Sequence, residues 1–295
     1  MKHVLVTGGS GFFGCNIATT LKRKFSVFAP SHKELDLLDG VKVSSYITKH
    51  SINTVIHCAT GERFGGFAES VRMFVNLLEQ GDRLSKIITF GSGAEYDKRW
   101  DLIRVTESSF GQLLPADEYG MAKYLMSLLS KTRKNIITLR PFGVYGSHED
   151  YCIKFISNAI VKQLSGIPIV IKQDVIFDYL YIDDLVKIIE HMLTHQMRHR
   201  VYNVTPDESI KLSDIVRIIQ TLSGVKGSVM VRYPGLNFQY TGSNRQLRHE
   251  LPRFRFHTYE EGIAKLYAYY KTHYRSLNIA QIKKDEFFKK SSVRI

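Results

Sequence analysis

The chain of 295 residues is poor in the features that mark several specialised protein classes. Its three cysteines, Cys15, Cys58 and Cys152, are too few for a disulfide framework and too widely spaced for a metal site, so we expect no metal and a reducing, cytoplasmic location. Its 7 prolines and 21 glycines are too few for a collagen-like or low-complexity chain. Because no apolar run approaches the roughly 18 residues of a membrane-spanning helix, we expect no membrane partner.

Acidic residues are also in short supply, since 28 carboxylates stand against 41 lysines and arginines and leave a formal net charge of +13. Such a surplus attracts polyanions, which include nucleic acids as well as dinucleotides and nucleotide sugars, and it is equally consistent with plain solvated surface charge. Basic clusters such as Lys22 to Lys24 and Lys131 to Lys134 lie at predicted helix ends, and the sequence carries no nucleic-acid reading motif. We therefore expect no nucleic-acid partner.

Short apolar runs alternate along the chain with longer segments of helical spacing. This alternation predicts an α/β fold with a doubly wound parallel sheet (Rossmann) covered by helices on both faces. The predicted strands are His3–Thr7, Ser26–Ala29, Thr54–Cys58, Lys86–Phe90, Ile136–Arg140 and Tyr202–Val204. The predicted helices are Gly14–Lys22, Val41–His50, Phe67–Gln80, Glu118–Thr132 and Asp184–Leu193.

Beyond about Gly146 the pattern becomes irregular, with breaks at glycine and proline. We therefore predict a dinucleotide-binding domain over residues 1–146, rejoined by about 177–204. A smaller, mixed α/β substrate-binding domain is predicted from residues 147–176 and 205–295. The lysine-rich end, 282–295, is expected to fray.

A glycine-rich loop joins the first strand to the first helix. In the order G-x-x-G-x-x-G, Gly8 is expected to make the tight turn, Gly11 to let the backbone approach a pyrophosphate, and Gly14 to let the helix pack on the strand. The sequence therefore predicts a dinucleotide site that uses Gly8, Ser10, Gly11, Phe12, Phe13 and Gly14.

The residues after the second strand bear on which dinucleotide binds. An acidic side chain there accepts the ribose hydroxyls of NAD, whereas neutral or basic side chains admit the 2′-phosphate of NADP. Here Ser31, His32 and Lys33 precede the first carboxylate, Glu34. This order favours NADP(H) and leaves NAD(H) possible.

Tyr119 and Lys123 are four residues apart and therefore share one face of the predicted helix. An ammonium about 4 Å from a phenol contributes roughly 4 kcal/mol at an effective dielectric near 20, which would lower a tyrosine pKa from about 10 towards neutrality. Ser92 follows the strand Lys86–Phe90, at the carboxyl end where doubly wound sheets bind ligands. These positions predict Ser92, Tyr119 and Lys123 as a catalytic group.

The ordered motifs resemble the extended short-chain dehydrogenase/reductases, the group of nucleotide-sugar epimerases, dehydratases and reductases. The resemblance covers nearly the whole chain and includes the stretches Arg140 to Gly146 and Asp178 to Asp184. It implies that Tyr119 is the general acid/base, that Lys123 holds the nicotinamide ribose and lowers the pKa of Tyr119, and that Ser92 hydrogen-bonds the substrate oxygen.

The same resemblance implies the remaining contacts. Adenine would meet Asp36 and Leu37, the dinucleotide would be lined by Cys58, Ala59 and Thr60, and the nicotinamide would be flanked by Pro141 and Val144. Arg232 is a candidate for a substrate phosphate contact. The helices over Phe67–Gln80 and Glu118–Thr132 correspond to those that pair in dimers of the family, which implies a homodimer.

The chain departs from this pattern at the substrate side. Many relatives carry Asn at Gly143 and Arg at Phe177, so Gly143 is expected to belong to a rearranged substrate contact. The turn Ser92-Gly93-Ala94 lacks the acids of the dehydratases, and Ala94 stands where the fucose synthases have Cys. With the dehydratase and fucose-synthase patterns set aside, simple hydride transfer is the reaction that remains. The resemblance then implies NADP(H)-dependent reduction of the 4-keto group of a nucleotide-activated deoxysugar.

Two alternatives stay open. An NAD-dependent nucleotide-sugar 4-epimerase would use the same residues but keep its cofactor and return the hydride to the opposite face. A non-catalytic dinucleotide-binding regulator would share the fold, although the intact Ser92, Tyr119 and Lys123 argue against it.

Overall fold

A computed structural model describes residues 2–61, 66–225 and 229–294. Its strands are β1 (His3–Thr7), β2 (Ser26–Phe28), β3 (Thr54–His57), β4 (Lys86–Phe90), β5 (Leu102–Val105), β6 (Ile136–Pro141), β7 (Gly143–Tyr145), β8 (Val170–Asp174), β9 (Ile176–Phe177), β10 (Tyr179–Tyr181), β11 (Val201–Val204), β12 (Ile210–Lys211), β13 (Met230–Leu236) and β14 (Tyr240–Gly242). Its helices are α1 (Phe12–Leu21), α2 (Gly40–Lys49), α3 (Phe67–Leu78), α4 (Glu118–Ser130), α5 (Phe155–Leu164), α6 (Ile182–Thr194), α7 (Leu212–Ser223), α8 (Arg245–Glu250), α9 (Tyr259–Thr272), α10 (Ile279–Ile282) and α11 (Glu286–Lys290).

A six-stranded, all-parallel sheet forms the centre, in the order β11-β6-β4-β3-β1-β2. β2 lies on one side of β1, whereas β3 and the later strands lie on the other side, so the strand order reverses at β1. In open α/β sheets this reversal opens a crevice at the carboxyl ends of the strands, where ligands bind. The glycine loop, Cys58 to Thr60 and Ser92 all follow strands at this edge.

The apolar strands read as continuous runs because both faces of the sheet are buried. Side chains alternate along β1, so that Val4 and Val6 join one core cluster with Ile17 of α1, while Leu5 joins the opposite cluster with Phe74 of α3. Helices α1 and α6 cover the first face, and α2, α3 and α4 cover the second. This arrangement holds the strand ends, and the loops that follow them, in place.

The later part of the chain builds small sheets beside the carboxyl edge. β5 joins β14, β9 and β12 in a four-stranded sheet, β13 pairs with β8, and β10 pairs with β7. Asp178 ties these pieces together, since its carboxylate accepts the Gly242 N–H at 2.8 Å and the Ser209 hydroxyl at 2.5 Å. No helix in the described ranges is long and apolar enough to span a membrane.

All six predicted strands and all five predicted helices are confirmed, with ends that differ by less than a turn. The expected fraying after residue 282 is wrong for the described part of that segment. Asp285 forms an ion pair with the buried Lys162 at 2.7 Å, and the Phe287 ring lies 5.1 Å from the ring of Phe155. Apolar side chains between the lysines pack this segment against the rest of the fold, so the prediction from its lysine content was wrong. The division into two domains stays a prediction.

Candidate active site

The junction of β1 and α1 forms one wall of a cleft of about 410 Å³, which we call the dinucleotide cleft. A Cβ on Gly14 would lie 2.1 Å from the Gly8 carbonyl oxygen, so only glycine lets α1 approach the strand this closely. Gly11 precedes α1 and offers no side chain to cap its first turn. The N–H groups of that turn therefore remain available to a pyrophosphate, which fits a dinucleotide.

Most of the predicted cofactor residues line this cleft. They are Gly8, Gly11, Phe12, Phe13, Gly14, Cys58, Thr60, Lys123, Pro141 and Val144. Gly143, which was predicted as a substrate contact, also lines this cleft. Ser10 and Ala59 are adjacent in the chain but are not among the lining residues. The structure therefore brings these residues together around one cleft, while their role as cofactor contacts stays a prediction.

The loop after β2 lies beyond this lining. Glu34 accepts hydrogen bonds from the Ser31 N–H at 2.7 Å and from its hydroxyl at 2.8 Å, and these bonds lower the pKa of Glu34. His32 and Lys33 are exposed. Leu37 is buried in the core and Asp36 is half-buried beside it, and their contacts with adenine stay predictions.

Ser92 begins a single 3-10 turn over Gly93–Tyr96, directly after β4. Its Oγ accepts the Ala94 N–H at 3.1 Å, and its own N–H donates to Glu95 Oε1 at 2.8 Å. Glu95 is fully buried and pairs with Arg140 of β6 at 2.7 Å. A buried ion pair thus anchors the turn that presents Ser92.

Tyr119 comes to this turn from the first turn of α4. Asp117 caps the helix by accepting the Gly120 N–H at 2.9 Å. A Cβ on Gly120 would lie 2.7 Å from the Ala94 carbonyl oxygen, so glycine allows α4 to pack directly on the serine turn. This close approach places Tyr119 near Ser92, and the two residues line the same clefts.

Lys123 lies one turn further along α4 and is buried. Its Nζ donates to the Phe90 carbonyl at 2.9 Å and is 5.8 Å from the centre of the Tyr119 ring. Burial lowers the pKa of Lys123 to about 8, opposed by the charge of Glu95. The Lys123 ammonium is therefore held in place near the Tyr119 ring, and it loses its proton more easily than the ammonium of an exposed lysine.

The expected lowering of the Tyr119 pKa is not found. Tyr119 is 44% exposed, towards the cleft, yet enclosure by the cleft walls raises its pKa, and the Ser92 hydroxyl opposes that rise only in part. The prediction assumed an ammonium about 4 Å from the phenol. In the structure the ammonium is directed to a backbone carbonyl instead, so the phenol stays protonated at neutral pH.

Ser92 and Tyr119 also line a second cleft, of about 570 Å³, which we call the substrate cleft. Its walls come from parts of the chain that are far apart in sequence and include the rings of Phe142, Phe177, Tyr179, Phe238, Tyr240 and Phe287. Ser291 and Ser292 complete one side, because Lys172 Nζ donates to the Ser291 carbonyl at 2.8 Å. The C-terminal segment is thus part of this site.

Charge in the substrate cleft is mainly positive. Lys98, Lys154 and Lys172 line it, and Asp117, which pairs with Lys98 at 3.0 Å, is the single carboxylate among the lining residues. Arg232, the predicted phosphate contact, is exposed on β13 and is not among them. The structure therefore does not bring Arg232 together with the other candidates, and its phosphate contact stays a prediction. Sequence reasoning missed Lys154 and Lys172 because they stand in no motif.

The two departures, at Gly143 and Phe177, lie in contact with each other. A Cβ on Gly143 would lie 2.8 Å from ring atoms of both Phe177 and Tyr179. Those two rings stack with centres 4.5 Å apart. The aromatic pair therefore occupies the space that any side chain at position 143 would need, and Gly143 itself lines the dinucleotide cleft.

A doubly wound sheet with a glycine loop, and a serine and a tyrosine on the border of two clefts, is the arrangement expected of a dinucleotide-dependent enzyme. The NAD dependent epimerase/dehydratase family model matches residues 4–205. GDP-L-colitose synthase of Yersinia pseudotuberculosis is 26% identical over 260 residues, which cover 76% of this chain and 83% of that protein. The dTDP-4-dehydro-6-deoxyglucose reductase of Escherichia coli is 26% identical over 265 residues, covering 74% and 80%.

Among solved structures, a GDP-L-fucose synthetase from Naegleria fowleri bound to NADP aligns with a TM-score of 0.80 at 17% identity, over 93% of this chain and 95% of that one. The chain belongs to the NAD-dependent epimerase/dehydratase family. These relatives are nucleotide-sugar enzymes, and the family is of the extended short-chain dehydrogenase/reductase type.

Proposed function

We propose that this enzyme reduces the 4-keto group of a nucleotide-activated deoxysugar with NADP(H). The observation that carries the proposal is the position of Ser92 and Tyr119 on the border shared by the dinucleotide cleft and the cationic substrate cleft. A sugar in the second cleft meets both side chains. The relatives named colitose synthase and dehydro-deoxyglucose reductase support this class of substrate.

The nicotinamide, when bound, supplies the hydride to the carbonyl carbon. Tyr119 donates its phenolic proton to the carbonyl oxygen, and the Ser92 hydroxyl hydrogen-bonds that oxygen. The raised pKa of Tyr119 keeps the phenol protonated at neutral pH but makes it a weaker acid, so proton transfer depends on stabilisation of the phenolate. The Lys123 ammonium, 5.8 Å from the centre of the ring, stabilises the phenolate that remains.

The serine turn supports reduction over dehydration. Elimination of water needs a free acid or base near the sugar, and positions 93 and 94 hold Gly and Ala. Glu95 is fully buried and already engaged by Arg140 and by the Ser92 N–H. No carboxylate of this turn is therefore free for the substrate.

The loop after β2 supports NADP(H) over NAD(H). Glu34, the first carboxylate after β2, is held by Ser31 through two hydrogen bonds, while His32 and Lys33 are exposed beside it. A 2′-phosphate would meet these basic groups. We expect Lys33→Ala to raise the KM for NADPH several-fold and to leave the KM for NADH unchanged. Equal changes for both cofactors would contradict the preference.

Cofactor stoichiometry tests the function. The enzyme is supplied with NADPH and with dTDP- or GDP-linked 4-keto-6-deoxyhexoses, and consumption of NADPH is followed together with formation of the sugar product. We expect one NADPH consumed for each sugar reduced. Turnover of a nucleotide sugar without added cofactor would instead establish the 4-epimerase. Dinucleotide binding without turnover of any nucleotide sugar would establish a regulator.

We also propose a homodimer in the cytoplasm. Helices α3 and α4 pack side by side against the sheet, and Leu128 of α4 is 39% exposed. The three cysteines are free thiols, which supports a reducing compartment. Light scattering at micromolar concentration is expected to give twice the mass of the chain, and a monomer would contradict the dimer.

A further inference from the structure

Glu95 is a buried acid three residues after the serine that borders both clefts. Its Oε1 accepts the Ser92 N–H at 2.8 Å, as part of a capping box on the 3-10 turn. A Cβ on Gly91 would lie 2.1 Å from the same oxygen, so glycine at that position leaves room for the carboxylate. Glu95 has no exposed surface and lines neither cleft, so any effect on the reaction is exerted through the groups around it.

Arg140 of β6 holds this carboxylate from the neighbouring strand. Its Nε donates to Glu95 Oε2 at 2.7 Å, so each oxygen of the carboxylate has its own partner. The guanidinium also donates to the Tyr96 hydroxyl at 3.1 Å and lies 4.3 Å from the centre of the Phe110 ring. One oxygen of Glu95 is therefore fixed by a rigid, buried partner, while the other oxygen holds the N–H of Ser92.

A buried ion pair is a poor way to stabilise a fold. The cost of removing two charges from water can exceed the attraction between them, and apolar side chains of similar volume often stabilise a fold equally well. Arg140, like Glu95, lines neither cleft, so contact with a ligand does not explain the pair. What the pair does supply is a charged acceptor at a fixed place, which forms a stronger hydrogen bond with the Ser92 N–H than a neutral group would.

We propose that Glu95 is a positioning residue of the catalytic site, which fixes the Ser92 backbone through its N–H and so sets where the Ser92 hydroxyl meets the reacting oxygen. Arg140 keeps the carboxylate in place for this purpose. Glu95 acts through Ser92, touches no substrate and transfers no proton. The proposal rests on the assignment of Ser92 in the proposed function, but not on the direction of hydride transfer or on the sugar.

Two double variants separate the hydrogen bond from the charges. The acceptor-retaining variant is Glu95→Gln/Arg140→Gln. The Oε1 of a glutamine lies as many bonds from its Cα as the Nε of an arginine, so an amide at position 95 can donate to an amide oxygen at position 140 and still accept the Ser92 N–H. The acceptor-free variant, Glu95→Leu/Arg140→Met, loses the same charges and the acceptor as well.

We expect kcat of the acceptor-free variant to be roughly tenfold below that of the acceptor-retaining variant, the size of one hydrogen bond. The Kd for NADPH is expected to be the same in both, because neither position lines the dinucleotide cleft. The Glu95 charge, which opposes the fall that burial causes in the Lys123 pKa, is absent from both variants, so its effect cancels in the comparison. Equal kcat in the two variants would overturn the proposal.

Thermal unfolding separates positioning from a purely structural role. Because apolar residues replace a buried ion pair at little or no cost, we expect the acceptor-free variant to keep or exceed the Tm of the acceptor-retaining variant while its kcat is lower. Loss of the fold in either variant, or a fall in kcat that follows a fall in Tm, would mark the pair as structural and overturn the proposal.

Helix α9 offers a matched control, because its start repeats this construction away from the site. Glu261 accepts the Thr258 N–H at 3.0 Å in a capping box and pairs with Arg255, on the surface and outside both clefts. Glu261→Leu/Arg255→Met is expected to leave kcat and KM unchanged. A loss of kcat as large as that of the acceptor-free variant would contradict a role specific to Ser92.

The wild-type enzyme separates this proposal from the proposed function. The variants are compared on whichever hydride transfer the wild type catalyses, so failure of 4-keto reduction leaves the test of Glu95 intact. A wild type that turns over no nucleotide sugar would overturn both proposals. Wild-type turnover with the same kcat in the acceptor-retaining and acceptor-free variants would overturn the role of Glu95 alone.

Discussion

The dinucleotide cleft and the substrate cleft meet at Ser92 and Tyr119 but are built in different ways. Short loops that follow consecutive parallel strands supply most of the dinucleotide cleft, and each loop carries its own motif. The substrate cleft takes much of its wall from β8, β14 and the segment around Phe287, none of which shows a motif. Local sequence therefore specifies the first cleft, whereas long-range packing specifies the second.

The largest expected effect lies on the border of the two clefts. Tyr119→Phe removes the proton donor, so kcat is expected to fall by about 10²- to 10⁴-fold, while the Kd for NADPH changes little. Steady-state kinetics and cofactor titration measure the two quantities. Tyr124→Phe, one turn further on the same helix and stacked on Phe110, is the control and should keep full activity. Activity of Tyr119→Phe at the wild-type level would remove Tyr119 from the mechanism.

A second experiment tests whether the aromatic pair has replaced the side chain at position 143. Gly143→Asn puts atoms where the rings of Phe177 and Tyr179 lie, and overpacking of this kind costs about 1–3 kcal/mol in the free energy of unfolding. Phe177→Ala in the same chain removes one of the two rings and is expected to recover part of that loss. Urea unfolding of both single variants and the double variant measures the coupling. Additive losses would mean that the two departures are independent.

The same contrast explains what the sequence could predict. The strands, the glycine loop and the Tyr119/Lys123 spacing are each indicated by a short stretch of neighbouring residues, and the structure contains each of them. The direction of the Lys123 ammonium, towards the Phe90 carbonyl, depends on a neighbouring strand, so the Tyr119 pKa was predicted with the wrong sign. The place of Tyr240 depends on a three-residue strand paired with β5 and β9, which no local pattern indicates.

Substrate affinity should respond to the lysines that no motif marked. Lys154 lines both clefts, and Lys154→Ala is expected to raise the KM for the nucleotide sugar by about tenfold with a smaller change in kcat, because a charged contact to an anion is lost. Arg232→Ala is the matched control, since this arginine is exposed outside the cleft. Initial rates at two ionic strengths check the charge effect. A larger rise in KM for Arg232→Ala than for Lys154→Ala would support the phosphate contact predicted for Arg232.

The smallest expected effect is a pH dependence of stability from Glu149, which comes from the segment after β7 but lines the dinucleotide cleft. Burial raises the pKa of Glu149 from 4.5 to about 8, opposed by the Ser157 hydroxyl. The folded chain therefore holds a proton that the unfolded chain has released between those values, so this contribution is present at low pH and is lost as pH rises towards 8. Glu149→Gln cannot ionise and still accepts from Ser157. We expect its Tm, relative to wild type, to be higher at pH 8 than at pH 5, while the exposed Glu260→Gln shows no such trend. A constant difference in Tm across this range would show that Glu149 is ionised in the fold, and that the border of the dinucleotide cleft carries one more negative charge.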